Sequence, residues 1–206
     1  MKSPTVLRAL LAAALPLASC ADLAKDYPER RYHDVETARG AAVREKAPLT
    51  VLEVEHLDIS QRFESSEIVR RTGDLTWEAD YYDVLFVPPA AMVTEETRKW
   101  LLASGLFEHV VDVSSLAEAT HVLEGNVTAL YGDLRSEPRA AIEVQFVLLD
   151  RRVEPPAIVH SATYSESVAV ENGAAAAIVG GWTRGLEAIL SRLEDDLSRA
   201  PLAAAK

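Results

Sequence analysis

The chain has 206 residues, 49% of them apolar, and a formal net charge of −11. That apolar content suffices for one folded body with a sizeable core. The excess of acid excludes a phosphate backbone as partner, so no nucleic acid is expected, and a single cysteine excludes any internal disulfide.

Residues 1–19 read as an export leader, a lipoprotein signal peptide. Lys2 and Arg8 are its only charged side chains, an apolar run from Ala9 to Leu17 follows, and small residues close it. The run is about half the ~20 residues that span a bilayer, so a permanent membrane helix is not expected. The lone cysteine, Cys20, stands where cleavage would fall, and Leu17, Ala18, Ser19 and Cys20 match the lipobox of bacterial lipoproteins. The match implies a diacylglyceryl thioether on Cys20, cleavage before it and acylation of the new amine. Two or three acyl chains hold a protein on a bilayer without a spanning helix, at ~0.8 kcal/mol per buried CH₂. Without the leader, which carries two of the basic residues, the mature part has a charge of −13. Such a body is repelled by anionic lipid, so attachment rests on Cys20.

Residues 20–48 read as the lipidated cysteine and a flexible charged tether, with transient helix from Asp34 to Lys46. Charged residues crowd it and apolar ones are sparse, too few to offset the entropy of ordering. The folded body is expected over residues 49–199. Leu49–Leu57, Ser66–Thr72 and Leu75–Tyr82 are predicted strands, the last two a hairpin about Gly73-Asp74, with Trp77, Ala79 and Tyr81 on one face. Pro88 ends the extended chain and Pro89 opens a helix that runs to Ser104, with Gly105 as its stop. Phe107–Val113, His121–Tyr131, Arg139–Asp150 and Ala157–Val170 are four further strands, the last three an antiparallel meander. Gly173–Arg199 is the closing helix, with Ile178, Trp182, Leu186, Ile189, Leu193 and Leu197 on one stripe. Gly180, Gly181 and Gly185 either mark an irregularity or allow a close approach. Residues 200–206 should fray. The expected class is α+β: an antiparallel sheet of about six to seven strands with two main helices packed on one face. Its open edges invite pairing, so a homo-oligomer or a strand-mediated complex is expected.

Several stretches resemble one family. They are Leu75–Tyr82 with Phe86-Val87-Pro88-Pro89, Gly105–Val110, Leu123–Val127, Ala140–Asp150 and Ala174–Leu197. Together they resemble the PqiC-like ABC-type transport auxiliary lipoproteins over residues 49–198. Leu85-Phe86-Val87 departs from the Trp that often precedes the paired prolines there, and Asp80-Tyr81-Tyr82-Asp83 is more acidic than the family's run. The resemblance implies an outer-membrane lipoprotein facing the periplasm. It would work with an inner-membrane ABC permease, an ATPase and an MCE-domain protein that move lipid or other hydrophobic molecules between membranes. The rival expectation is a structural or assembly lipoprotein of another outer-membrane machine. Ala21 after Cys20 favours outer-membrane sorting by analogy with other lipoproteins.

Signs of chemistry are few. His33, His56, His109, His121 and His160 are scattered without metal-ligand spacing, so no metal is expected. No Gly-x-Ser-x-Gly elbow or phosphate-binding glycine loop occurs. A non-enzymatic protein without cofactor is therefore expected, ATP hydrolysis falling to a partner. The aromatic group Trp77, Tyr81, Tyr82, Phe86 and Trp100 admits two readings: a lipid or partner surface, or a core where the hairpin meets the first helix. The core is the favoured one.

Overall fold

The computed structural model describes residues 29–40 and 47–202. The leader, the Cys20 lipobox, the second half of the expected tether helix and residues 203–206 lie outside the described residues. The architecture is α+β: a curled open sheet with two helices. In chain order its strands are β1 (Arg31–His33), β2 (Ala47–Val54), β3 (Asp58–Ile59), β4 (Glu67–Arg71) and β5 (Trp77–Leu85). Helix α1 (Pro89–Ser104) then leads to β6 (Phe107–Asp112), β7 (His121–Asp133), β8 (Arg139–Asp150), β9 (Ala157–Ala169) and helix α2 (Ala175–Arg199).

The long strand β7 is the axis. On one side it pairs antiparallel with β8 along its whole length, and β8 pairs antiparallel with β9. On the other side three short strands lie end to end, all parallel to it: β2 beside Leu123, β3 beside Val127 and β4 beside Asp133. β2 carries β6 on its far flank, also parallel, and β4 carries β5 antiparallel, with β1 parallel beyond. The meander over β7–β9 is antiparallel as expected, but the other half of the sheet is mixed and two of its nine strands are very short. Side-chain alternation fixes which face a residue takes and carries no record of strand direction. Direction comes from the connections: the chain leaves β2, runs through β3, β4, β5 and α1, and returns β6 parallel to β2.

The two helices form for reasons written locally. Pro89 sits at the first helical position of α1, where its missing N–H costs nothing. Gly105 closes the helix at φ 68°, a left-handed backbone that suits glycine. Along α2, Ile178, Trp182, Leu186, Ile189, Leu193 and Leu197 are all buried. They meet the inward row of β8, where Ala140, Ile142, Val144, Phe146 and Leu148 are each at most 1% exposed. Gly181 and Gly185 set how near the helix lies. A Cβ on Gly185 would stand 2.7 Å from Ile142 Cγ2, and one on Gly181 would overlap Ala140 and Val170, whereas Gly180 faces open space near Arg184.

One departure from simple alternation has a visible cause. A bulge in β9 lets Leu148 face His160 but pairs Leu149 with Ile158, so Ile158 turns outward and is 65% exposed. At the other end, the tail contributes to the body, since Leu202 is 4% exposed and belongs to the core.

Candidate functional site

The segment expected to be a loose tether is docked over residues 29–40. β1 extends the sheet edge by pairing with β5, and the Phe86 N–H donates to the His33 carbonyl at 2.8 Å. Both Arg31 and His33 bind the Asp83 carboxylate, His33 Nε2 at 2.7 Å. Burial works to raise that carboxyl's pKa, but the hydrogen bonds from His33 and Arg31 outweigh it and hold it below the ordinary carboxylate range. Val35, 2% exposed, then plugs into the core.

The chain next crosses both helices. The Thr37 N–H and hydroxyl donate to Glu96 Oε2 on α1 at 2.7 and 2.8 Å. The Ala38 N–H donates to Glu187 on α2 at 2.8 Å. Arg39 makes a two-pronged bond to Glu194 on α2, Nε to Oε2 and Nη2 to Oε1, each 2.8 Å. Glu194 also accepts from Trp100 Nε1 on α1 at 2.9 Å. One carboxylate thus joins the strap, α1 and α2. No helix forms over the described part of Asp34–Lys46. Composition misses this docking because the strap is held by complementary polar groups rather than by apolar area. An isolated Val35 and a three-residue strand leave too short a period to read.

The five aromatics read as one group are divided. Trp100 is buried between the helices. Trp77 is half-buried against Tyr131 (ring centroids 5.1 Å) and Phe63 (6.1 Å), with Arg62 over its ring at 4.8 Å. Tyr82 is half-buried. Tyr81 and Phe86 are turned out, 62% and 69% exposed. The β4–β5 register slips between Glu67 and Ile68, and Asp80 there accepts the N–H groups of Tyr82 and Asp83 at 3.0 Å each. That irregularity breaks the expected Trp77–Ala79–Tyr81 face. Tyr32 of β1, which the sequence did not single out, meets Phe86 edge to face at 6.0 Å.

The histidines take separate roles. His33 binds Asp83, and His160 Nε2 meets the Tyr164 hydroxyl at 2.9 Å while that hydroxyl donates to Asp196 at 2.7 Å. Burial, then the bond to Asp196, pushes the Tyr164 phenol's pKa up, the wrong direction for a base. His121 is fully buried beside Arg152 and Asp150. Among the described residues no group of three or more His, Cys, Asp or Glu could hold a metal. A groove lies between the end of β2 and α1, lined by Val54, His56, Thr94, Arg98, Asp112 and Ser114. Its two carboxylates are committed, since the Ser114 N–H and hydroxyl donate to Asp112 at 2.9 and 2.6 Å and Glu95 pairs with Lys99 at 2.8 Å. No helix among the described residues is long and apolar enough to cross a membrane.

Comparison with known proteins places the fold. No family model matches the sequence, and no curated protein matches it. Among solved structures, a Xanthomonas campestris protein of the DUF330 family is 17% identical, and the match covers 80% of this chain and 92% of that one at a TM-score of 0.67. An uncharacterized protein is 12% identical over 82% of this chain and 99% of its own, at a TM-score of 0.65. The body described above is therefore the fold of those two proteins.

Proposed function

We propose that the chain is a non-enzymatic, lipid-anchored accessory subunit of an ABC/MCE-type system that moves lipid or other hydrophobic molecules between membranes. It would stand on the outer membrane facing the periplasm. The lipobox ending at the sole cysteine supports the anchor, and the family resemblance of residues 49–198 supports the transport role. The observation that carries the reading is the docked strap. From Cys20 the chain runs into the sheet edge at β1 and then bonds to α1 and α2 through Thr37, Ala38 and Arg39. A pull at the lipid would therefore be delivered to the body as a whole rather than to a slack leash. A homo-oligomer, built on the free edges of β6 or β9, belongs to the same proposal.

The test is in-cell crosslinking followed by purification from membranes. Recovery of a permease, an ATPase and an MCE-domain protein is the expected result. Recovery of a different outer-membrane machine in their place would replace the transport role by the assembly role.

A further inference from the structure

We propose that the exposed aromatic edge formed by Arg30, Tyr32, Tyr81 and Phe86 is a bilayer-docking face that rests in the headgroup layer of the membrane holding Cys20. This deepens the anchoring proposal and rests on it. The four side chains are contiguous. The Arg30 guanidinium lies 4.7 Å from the centre of the Tyr81 ring. Arg30, Tyr32 and Phe86 wall one shallow groove, with Val84 on its floor and Ser65 and Glu67 at its margin. Tyr32, Tyr81 and Phe86 are 61%, 62% and 69% exposed, a large apolar area for one corner of an acidic protein.

Three observations identify the occupant. The first is reach. Arg30 lies ten positions after Cys20, a contour of at most about 36 Å at ~3.6 Å per residue, so the acyl chains and this edge are held close together. The second is chemistry. Tyrosine and arginine combine an apolar body with a polar tip, the pattern of side chains that settle between hydrocarbon and water. The third is charge. The mature chain is acidic, which repels anionic lipid, but this edge presents the exposed Arg30 guanidinium to headgroup phosphates, while Arg31 beside it is held by Asp83. Tethering makes the contact intramolecular, so a patch too weak to recruit the protein from solution is enough to orient it.

The experiment uses full-length acylated protein in vesicles of phosphatidylethanolamine and phosphatidylglycerol. In the acylated protein the Cys20 sulfur is a thioether, so Ser65→Cys supplies the one thiol for an environment-sensitive fluorophore at the groove margin. Leu116→Cys, on the exposed loop after β6 at the far end of the strand order from β1, supplies the reference. Quenching by lipids carrying a bilayer quencher should be several-fold stronger at position 65 than at 116. Tyr32→Ser, Tyr81→Ser and Phe86→Ser together should bring position 65 down to the reference while flotation with the vesicles is unchanged. Equal quenching at the two positions in protein that floats would overturn the docking face and leave the anchor standing. Quenching that survives the triple substitution would equally overturn it. Self-quenching at position 65 that rises with protein concentration in detergent would assign the edge to a second copy instead. Protein that neither floats nor carries acyl mass would sink the anchor and this face together.

Discussion

At the scale of single residues, several polar groups among the described residues are buried in structural contacts. His121 shows it best. It is fully buried, with Nδ1 2.9 Å from the Thr120 hydroxyl and Nε2 3.4 Å from an Arg152 nitrogen. Burial, then Arg152, lowers its pKa, and Asp150 opposes them with less effect. A histidine kept neutral in the fold but free to charge when unfolded makes the unfolded state bind more protons below its ordinary pKa, about 6.5. Its share of stability is therefore whole above that value and is lost as pH falls from about 7 toward 5. His121→Asn should flatten this limb in urea midpoints taken across that range, and an unchanged slope would assign the limb to other groups. Nothing in the sequence distinguished His121 from the four other histidines, because burial is set by where β7 lies in the sheet and not by its neighbours in the chain.

At the scale of elements, legibility followed how far each element carries its own instructions. Pro89 and Gly105 bracket α1, and its bounds could be read to the residue. The clean alternation of β8 gave Arg139–Asp150. β1 and β3, three and two residues long, have no period to detect and exist because β5 and β7 offer them an edge. The glycines of α2 were ambiguous in sequence, and the structure separates them. Gly181→Ala should destabilise by about 1–3 kcal/mol, the usual cost of overpacking, because Ala140 and Val170 occupy the space. Gly180→Ala should stabilise by up to about 1 kcal/mol, as an alanine replaces a glycine in an open helical site. Thermal unfolding of the two variants should move in opposite directions; a loss of equal size in both would contradict the close helix–sheet contact at Gly181.

The strap is the element the sequence hid. Glu194 is 4% exposed, and Arg39→Ala takes away its guanidinium. Breaking a buried pair costs about 3–5 kcal/mol, and here release of the strap, which admits water, holds the cost to the lower end. The variant should melt earlier and gain a protease cut within residues 29–40. Intact resistance there would mean that β1 and Val35 hold the strap without Arg39.

At the scale of the whole molecule, the α+β class, the antiparallel β7–β9 meander and the β4–β5 hairpin were legible in the sequence, whereas the parallel pairings of the mixed half were not, since they depend on crossovers. The aromatic group was legible only as composition. Its division into a buried Trp100, a half-buried Trp77 and an outward Tyr81–Phe86 edge follows from the irregularity in β5 and from β1 docking beside it. The same docking shortens the long charged leash expected from the sequence to at most ten residues between Cys20 and β1, so that the proposed anchor and the fold would move as one mechanical object. The most direct measurement is the intact mass of the mature protein extracted from membranes, with the N-terminal peptide sequenced by fragmentation. The account predicts a chain that begins at Cys20 and carries a diacylglyceryl group on its sulfur; an uncut leader, or a first residue bearing no acyl group, would contradict it.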